Sequence, residues 1–346
     1  MSSADLVERH IRTKRKVRTI VTYADNGSFL RQEHERILHF LRANSYPSLF
    51  AKAYIPHRGI FENAKAHLYN DVFIKLDIKN FFASINHRRL QTQLYIELNK
   101  VSEEYVSREQ CRGIVSICSC GYPGLPLGLV TSPDLANIYL KGFDSFLYGK
   151  LKKYNVQNPI YTRYADDIVV SFKYRHDYLE VAWCIICDVE RLLKEYSLYL
   201  NRKKVQIISL DKSNHVKITG INITKRNDNF RHITVGKKLI NKLFWRAIHY
   251  YDHPEYTSDL DVERLKGLLS FVFSIEKNGF YDRYSLGMLQ LIKNRGFLDL
   301  EELILSLPNR VSAAQMMLQA MEVIALVTNL SIPKDSIHPL GHLSLF

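Results

Sequence analysis

Ile160-Tyr161-Thr162-Arg163-Tyr164-Ala165-Asp166-Asp167-Ile168-Val169-Val170-Ser171-Phe172 sets two strand-forming runs on either side of an acidic turn. β-Branched and aromatic residues on both flanks, interrupted by Ala-Asp-Asp, predict a hairpin whose tip carries two carboxylates. A third acid closes another short apolar run, Asp71-Val72-Phe73-Ile74-Lys75-Leu76-Asp77-Ile78, which predicts a buried strand. Antiparallel pairing of these elements in one sheet brings Asp77, Asp166 and Asp167 together. Clustered carboxylates repel and call for cations. Hard oxygen ligands select Mg²⁺ or Mn²⁺, and two such ions suit phosphoryl transfer. An Asp-Asp pair alone is also ordinary turn chemistry, so the flanking sequence decides between the readings.

Outward from this centre, residues 29–44, 87–99, 133–153 and 178–198 have helical spacing, with Pro133 placed for a first turn. The last of these carries Ala182, Ile185, Ile186, Val189, Leu192, Leu193 and Tyr196 on one stripe. Short strands follow near 205–209 and 216–224, then helices at 237–251, 260–276, 280–293 and 309–328. The body is α+β and the tail all-α.

The chain has 346 residues, 46% of them hydrophobic, enough for one large domain and a smaller one. The formal charge of +13 is localised. Residues 1–20 hold six Lys or Arg against two acids and residues 200–243 hold eleven against two, so the remainder is neutral. Two basic segments around a neutral body point to phosphate contact. Five cysteines, Cys111, Cys118, Cys120, Cys184 and Cys187, with no secretory signal, predict a reducing cytoplasm, no disulfides and burial as small apolar groups. No apolar run is long enough for a membrane span.

Three motifs in order make the acids specific. Tyr164-Ala165-Asp166-Asp167 resembles the YADD box of reverse transcriptases. Leu76-Asp77-Ile78-Lys79-Asn80-Phe81-Phe82-Ala83-Ser84-Ile85 resembles their first carboxylate motif, and Gly124-Leu125-Pro126-Leu127-Gly128 through Asn137 resembles the loop and helix that pack under the incoming nucleotide. The resemblance covers roughly residues 10–280. It implies a right-hand polymerase: fingers and palm over 1–235, with an antiparallel palm sheet flanked by helices, and an α-helical thumb with C-terminal helices over 236–346.

The same resemblance implies roles. Asp77, Asp166 and Asp167, with the backbone of Ile78, hold Mg²⁺ or Mn²⁺. The segment from Ile78 to Phe81 approaches the triphosphate of a dNTP, joined by Leu127 and Gly128. Phe82 occupies the steric-gate position that disfavours a ribose 2′-hydroxyl. Lys204, with Lys203 as a competing choice, lies near the leaving pyrophosphate. Arg18, with Lys16 second, grips the triphosphate.

One position departs from the family: Leu127 stands where Gln is usual, followed by Leu129-Val130. This puts ordinary nucleotide selection in doubt and predicts altered fidelity or a restricted product. Asn63-Ala64-Lys65-Ala66-His67 and Ile218-Thr219-Gly220 resemble elements of bacterial retron-type enzymes, and Arg264 to Phe271 their thumb helix. His67 itself reads as a hydrogen-bonded structural residue. The implied activity is RNA-templated DNA synthesis on a structured noncoding RNA that serves as template and as primer, in bacterial antiphage defence, with an RNA/DNA duplex as product and an effector protein as a further partner. Two alternatives stay open: a defence enzyme making a repetitive or protein-primed DNA, and an idle RNA-binding scaffold.

Overall fold

The computed structural model describes residues 5–13, 16–225, 230–276 and 284–307. In chain order the first unit contains β1 (Leu6–Thr13), β2 (Lys16–Tyr23), α1 (Phe29–Asn44), α2 (Ile60–Ala66), β3 (Val72–Asp77), α3 (His87–Leu98), α4 (Arg108–Ser119), α5 (Ser132–Tyr139), α6 (Lys141–Leu151), β4 (Ile160–Tyr164), β5 (Asp167–Phe172), α7 (Tyr178–Glu195), β6 (Gln206–Ser209), β7 (His215–Ile218), β8 (Ile221–Lys225) and β9 (Arg231–Thr234). The chain divides between Val235 and Gly236.

The central sheet runs β4-β5-β3-β6, all antiparallel. β3 is interior to this sheet and nearly all its residues are buried, which is why its sequence is a continuous apolar run instead of an alternation. Ile74, Leu76, Ile168 and Val170 share one core with Ile185, Ile186, Val189 and Leu193 of α7, whose whole sequence-read stripe is buried. Burying an aliphatic side chain of this size stabilises by about 1.5–3 kcal/mol, so this stripe anchors α7.

Four features depart from the sequence reading. The helix expected over 133–153 is broken at Leu140 into α5 and α6. The bend lets Tyr139 and Phe143 both meet the Tyr196 ring edge-on, at 6.0 and 5.8 Å between centroids. The strand expected over 216–224 is a hairpin, β7–β8, turning on Thr219 and Gly220 at φ +44° and +92°. The antiparallel pair β1–β2, with α2, α4 and β9, was not legible: exposed Arg9, Arg12 and Arg18 leave β1 and β2 without an apolar alternation. Cys184 and Cys187 are exposed on α7, outside its buried stripe, whereas Cys111 and Cys118 are buried.

His67 follows α2 and is fully buried, its ring nitrogens 2.7 Å from the hydroxyls of Ser171 and Thr162. Burial, with Lys52 nearby, pushes its pKa down to about 3. It is a neutral structural group tying α2 to β4 and β5.

The second unit holds α8 (Lys237–Asp252), α9 (Asp259–Glu276), α10 (Leu286–Lys293) and α11 (Leu300–Ser306). α8, α9 and α11 pack on one another and bury Leu243, Phe244, Leu269 and Leu303. The helix expected at 280–293 begins at Leu286, with 280–283 outside the described residues, as is the one at 309–328. Among the described residues no helix is long and apolar enough to cross a membrane.

Candidate active site

Register assembles the acids. Asp77, last residue of β3, stands directly opposite Asp167, first residue of β5. Tyr164 pairs with Asp167 across the β4–β5 turn, and Ala165 takes φ +56° to close it. The Ile78 amide donates to the Asp166 carbonyl at 2.9 Å, and the Asn201 amide to the Asp77 carbonyl at 2.8 Å. Backbone bonds thus fix both acid-bearing chain ends before any side chain is considered.

Asp77 is nearly buried and its carboxylate is fully engaged. Lys204 Nζ lies 2.5 Å from Oδ2 and Asn201 Nδ2 donates to Oδ1 at 2.9 Å. Burial holds the Asp166 carboxyl above the usual range, with Asp77 adding repulsion against the opposing pull of Lys204 and Arg18. Asp167 is pushed up to about 6, first by loss of solvation in its recess, then by Asp166 and Asp77. The ion pair with Asp77 raises the Lys204 pKa. Three neighbouring carboxylates, with Asp77 already paired to Lys204, are all oxygen donors and fit hard divalent cations. Among the described residues, however, no three His, Cys, Asp or Glu side chains are closed around a common point as a ready-made cage. Asp77 instead faces Lys204 and Asn201.

A recess of about 340 Å³ opens beside Asp77 and Asp167, lined by Lys75, Lys203, Lys204 and Lys217. Lys203 lines it, but the ion pair to Asp77 belongs to Lys204.

The other predicted residues form a second cluster around the 124–128 loop. The Leu125 amide donates to the Phe82 carbonyl at 2.8 Å, and a Cβ at Gly124 would lie 2.4 Å from that same oxygen. The Val21 amide donates to the Leu127 carbonyl at 2.8 Å, binding β2 to the loop. Gly128, at φ +116°, leaves room that a Cβ would take from the Val21 carbonyl, at 2.5 Å. Phe81 is buried, Phe82 and Leu127 are half-buried, and the exposed Arg18 on β2 is close enough to lower the Asp166 pKa. The Lys16 side chain is outside the described part.

Residues 28–223 match the family model described as reverse transcriptase (RNA-dependent DNA polymerase). The chain belongs to the reverse transcriptase family. Its relatives place it in the retron type. It is 30% identical over 250 residues to the retron Ec73 reverse transcriptase of Escherichia coli, covering 70% of this chain and 75% of that one. To the retron Ec83 reverse transcriptase of the same organism it is 24% identical over 242 residues, covering 69% and 74%. Among solved structures, apo telomerase from Candida tropicalis, truncated from its C-terminal domain, aligns at 16% identity with a TM-score of 0.43, covering 63% of this chain and 52% of that one. The retron-type reverse transcriptase is an RNA-directed DNA polymerase of right-hand architecture, and its template is RNA.

Two residues of this reverse transcriptase carry more than the motifs disclosed. Asn201, three residues before Lys204, holds Asp77 through both backbone and side chain. Arg163 is fully buried under the turn, its Nε and Nη2 donating to the two Asp144 oxygens at 2.8 and 2.9 Å and its Nη1 to Asn137 at 3.2 Å and the Ala165 carbonyl at 3.4 Å. Tyr161 donates to Asp144 at 2.7 Å. The signal was a charged residue inside an otherwise apolar hairpin; its partner Asp144 carried none.

Proposed function

We propose that Asp77, Asp166 and Asp167, with the Ile78 backbone, hold Mg²⁺ for the addition of dNTPs to a primer end. The observation that carries this is the register that sets Asp77 opposite Asp167, with Asp166 next to it in the β4–β5 turn. Bound there, divalent ions supply the positive charge that activates an attacking hydroxyl and stabilises departing pyrophosphate. The chain's own residues do the rest. Lys204, beside Asp77, gives a proton or charge to the leaving group. Arg18 binds the triphosphate, Phe81 and Gly128 bring backbone close to it, and Phe82 excludes a ribose 2′-hydroxyl.

Residues 1–235 serve as fingers and palm and residues 236–346 as thumb and C-terminal helices. The template is a structured noncoding RNA that also offers the priming hydroxyl, and the setting is antiphage defence with an effector protein; likeness to retron reverse transcriptases supports this. Primer extension on an RNA template with Mg²⁺ tests the site. Asp166→Ala/Asp167→Ala is expected to abolish extension and phage protection together; retained protection without extension overturns the defence role of DNA synthesis, and retained extension overturns the site. Sequencing nucleic acid that co-purifies with the chain identifies the template.

A further inference from the structure

Tyr54 lies in the connection between α1 and α2 with φ +60°, a conformation a large aromatic residue seldom takes. The palm holds it there. The Lys52 amide donates to the Arg163 carbonyl at 2.8 Å and the Arg163 amide to the Phe50 carbonyl at 2.9 Å. Asn137 donates to the Ala53 carbonyl at 3.0 Å, and Arg58 to the carbonyls of Ser48 and Ala51 at 2.7 and 3.0 Å. Ala51 and Ala53, just before it in the chain, are fully buried. A segment pinned at so many points cannot relax, so the strain is imposed on Tyr54 by its surroundings.

The ring is not spent on the core. Tyr54 is 45% exposed, yet its ring meets Phe82 edge-on at 6.4 Å between centroids and 83° between planes. Phe81 also meets Phe82 edge-on, at 5.4 Å and 62°. The Phe82 ring is therefore fixed by two aromatic contacts, one from its own chain neighbour and one from the strained loop. Edge-to-face pairs of this kind are directional, so they hold a ring's orientation as well as its position. Tyr54 is also close enough to the catalytic turn for Asp166 and Tyr164 to raise its phenol pKa, after the larger effect of burial.

We infer that Tyr54 is a positioning residue for sugar selection: its ring holds Phe82 where a ribose 2′-hydroxyl would have to sit. This rests on Phe82 being the gate. Glycine takes φ +60° without strain, so Tyr54→Gly removes the ring while relieving the backbone. A tyrosine that sets the gate would not be replaceable by glycine without loss of discrimination.

The test is the ratio of kcat/KM for dNTP and for the matching rNTP, with the full chain, Mg²⁺ and a defined RNA template and primer. Phe82→Ala is expected to lower discrimination, and Tyr54→Ala and Tyr54→Gly to lower it about tenfold, mostly through a smaller KM for the rNTP. Tyr54→Phe keeps it, and Tyr54→Ala/Phe82→Ala is no worse than Phe82→Ala, because both act on one gate. Thermal melting of Tyr54→Gly at or above that of the native chain shows the loss is not unfolding. Native discrimination in Tyr54→Ala while Phe82→Ala loses it overturns the role of Tyr54 alone. Native discrimination in Phe82→Ala overturns the gate, and the inference with it.

Discussion

Lys204 and Asp77, 127 residues apart in the chain, meet at 2.5 Å between Nζ and Oδ2. The lysine thus neutralises a carboxylate that a divalent cation would also claim. Lys204→Ala is expected to bind Mn²⁺ more tightly, measured by electron paramagnetic resonance titration, while kcat for extension falls about 100-fold. Weaker Mn²⁺ binding would show that Lys204 supports the metal site instead of competing with it.

The Arg163 to Asp144 pair has no exposure on either side chain. Removing one partner strands the other, so Arg163→Met is expected to destabilise by about 3–5 kcal/mol in chemical denaturation. Arg163→Met/Asp144→Leu recovers most of that stability. Extension stays impaired in the double variant, because the hydrogen bond to the Ala165 carbonyl is gone. Full recovery of both would reduce the pair to packing.

Gly128 carries a backbone approach that no other residue permits. Gly128→Ala forces a Cβ toward the Val21 carbonyl at 2.5 Å, in a left-handed conformation. A cost of about 1–3 kcal/mol and a raised KM for dNTP are expected, as β2 and the 124–128 loop separate. An unchanged KM would uncouple this contact from nucleotide binding.

His67 sets an acid limit. Its folded pKa, about 3, lies below the ordinary 6.5, so folding binds fewer protons between those values. The stability it contributes is complete above about pH 6.5 and is lost as pH falls toward 3, by up to about 1.4 kcal/mol per pH unit. Melting temperature measured from pH 7 to pH 4 is expected to fall less steeply in His67→Gln. Parallel curves would place the acid sensitivity elsewhere.

Leu127, half-buried in the 124–128 loop, carries no side-chain amide. Leu127→Gln is expected to change the relative kcat/KM of the four dNTPs by up to about 10-fold, read from single-nucleotide incorporation. Four unchanged values would mean that the half-buried side chain does not reach base or sugar.

Asp77, Asp166 and Asp167 were legible in the sequence because each ends or turns an element whose periodicity is local. So were β3, the β4–β5 hairpin and the buried stripe of α7, where two or three residue types repeat at a fixed spacing. β1 and β2 were not, because a two-stranded ribbon with exposed arginines buries too little to leave a pattern. Cys184 and Cys187 were misread since helix direction, not residue type, turned them outward.

The sequence alone determined the order of the motifs, the placing of the three acids at strand ends and a turn, and the apolar runs that carry them. Only the tertiary structure decided that Lys204 and not Lys203 meets Asp77, that Asp144 balances Arg163, that Gly128 admits Val21 and that Tyr54 is held strained against Phe82. Periodicity records how a segment meets its immediate surroundings, whereas each of these contacts joins segments that only the packed core brings within reach.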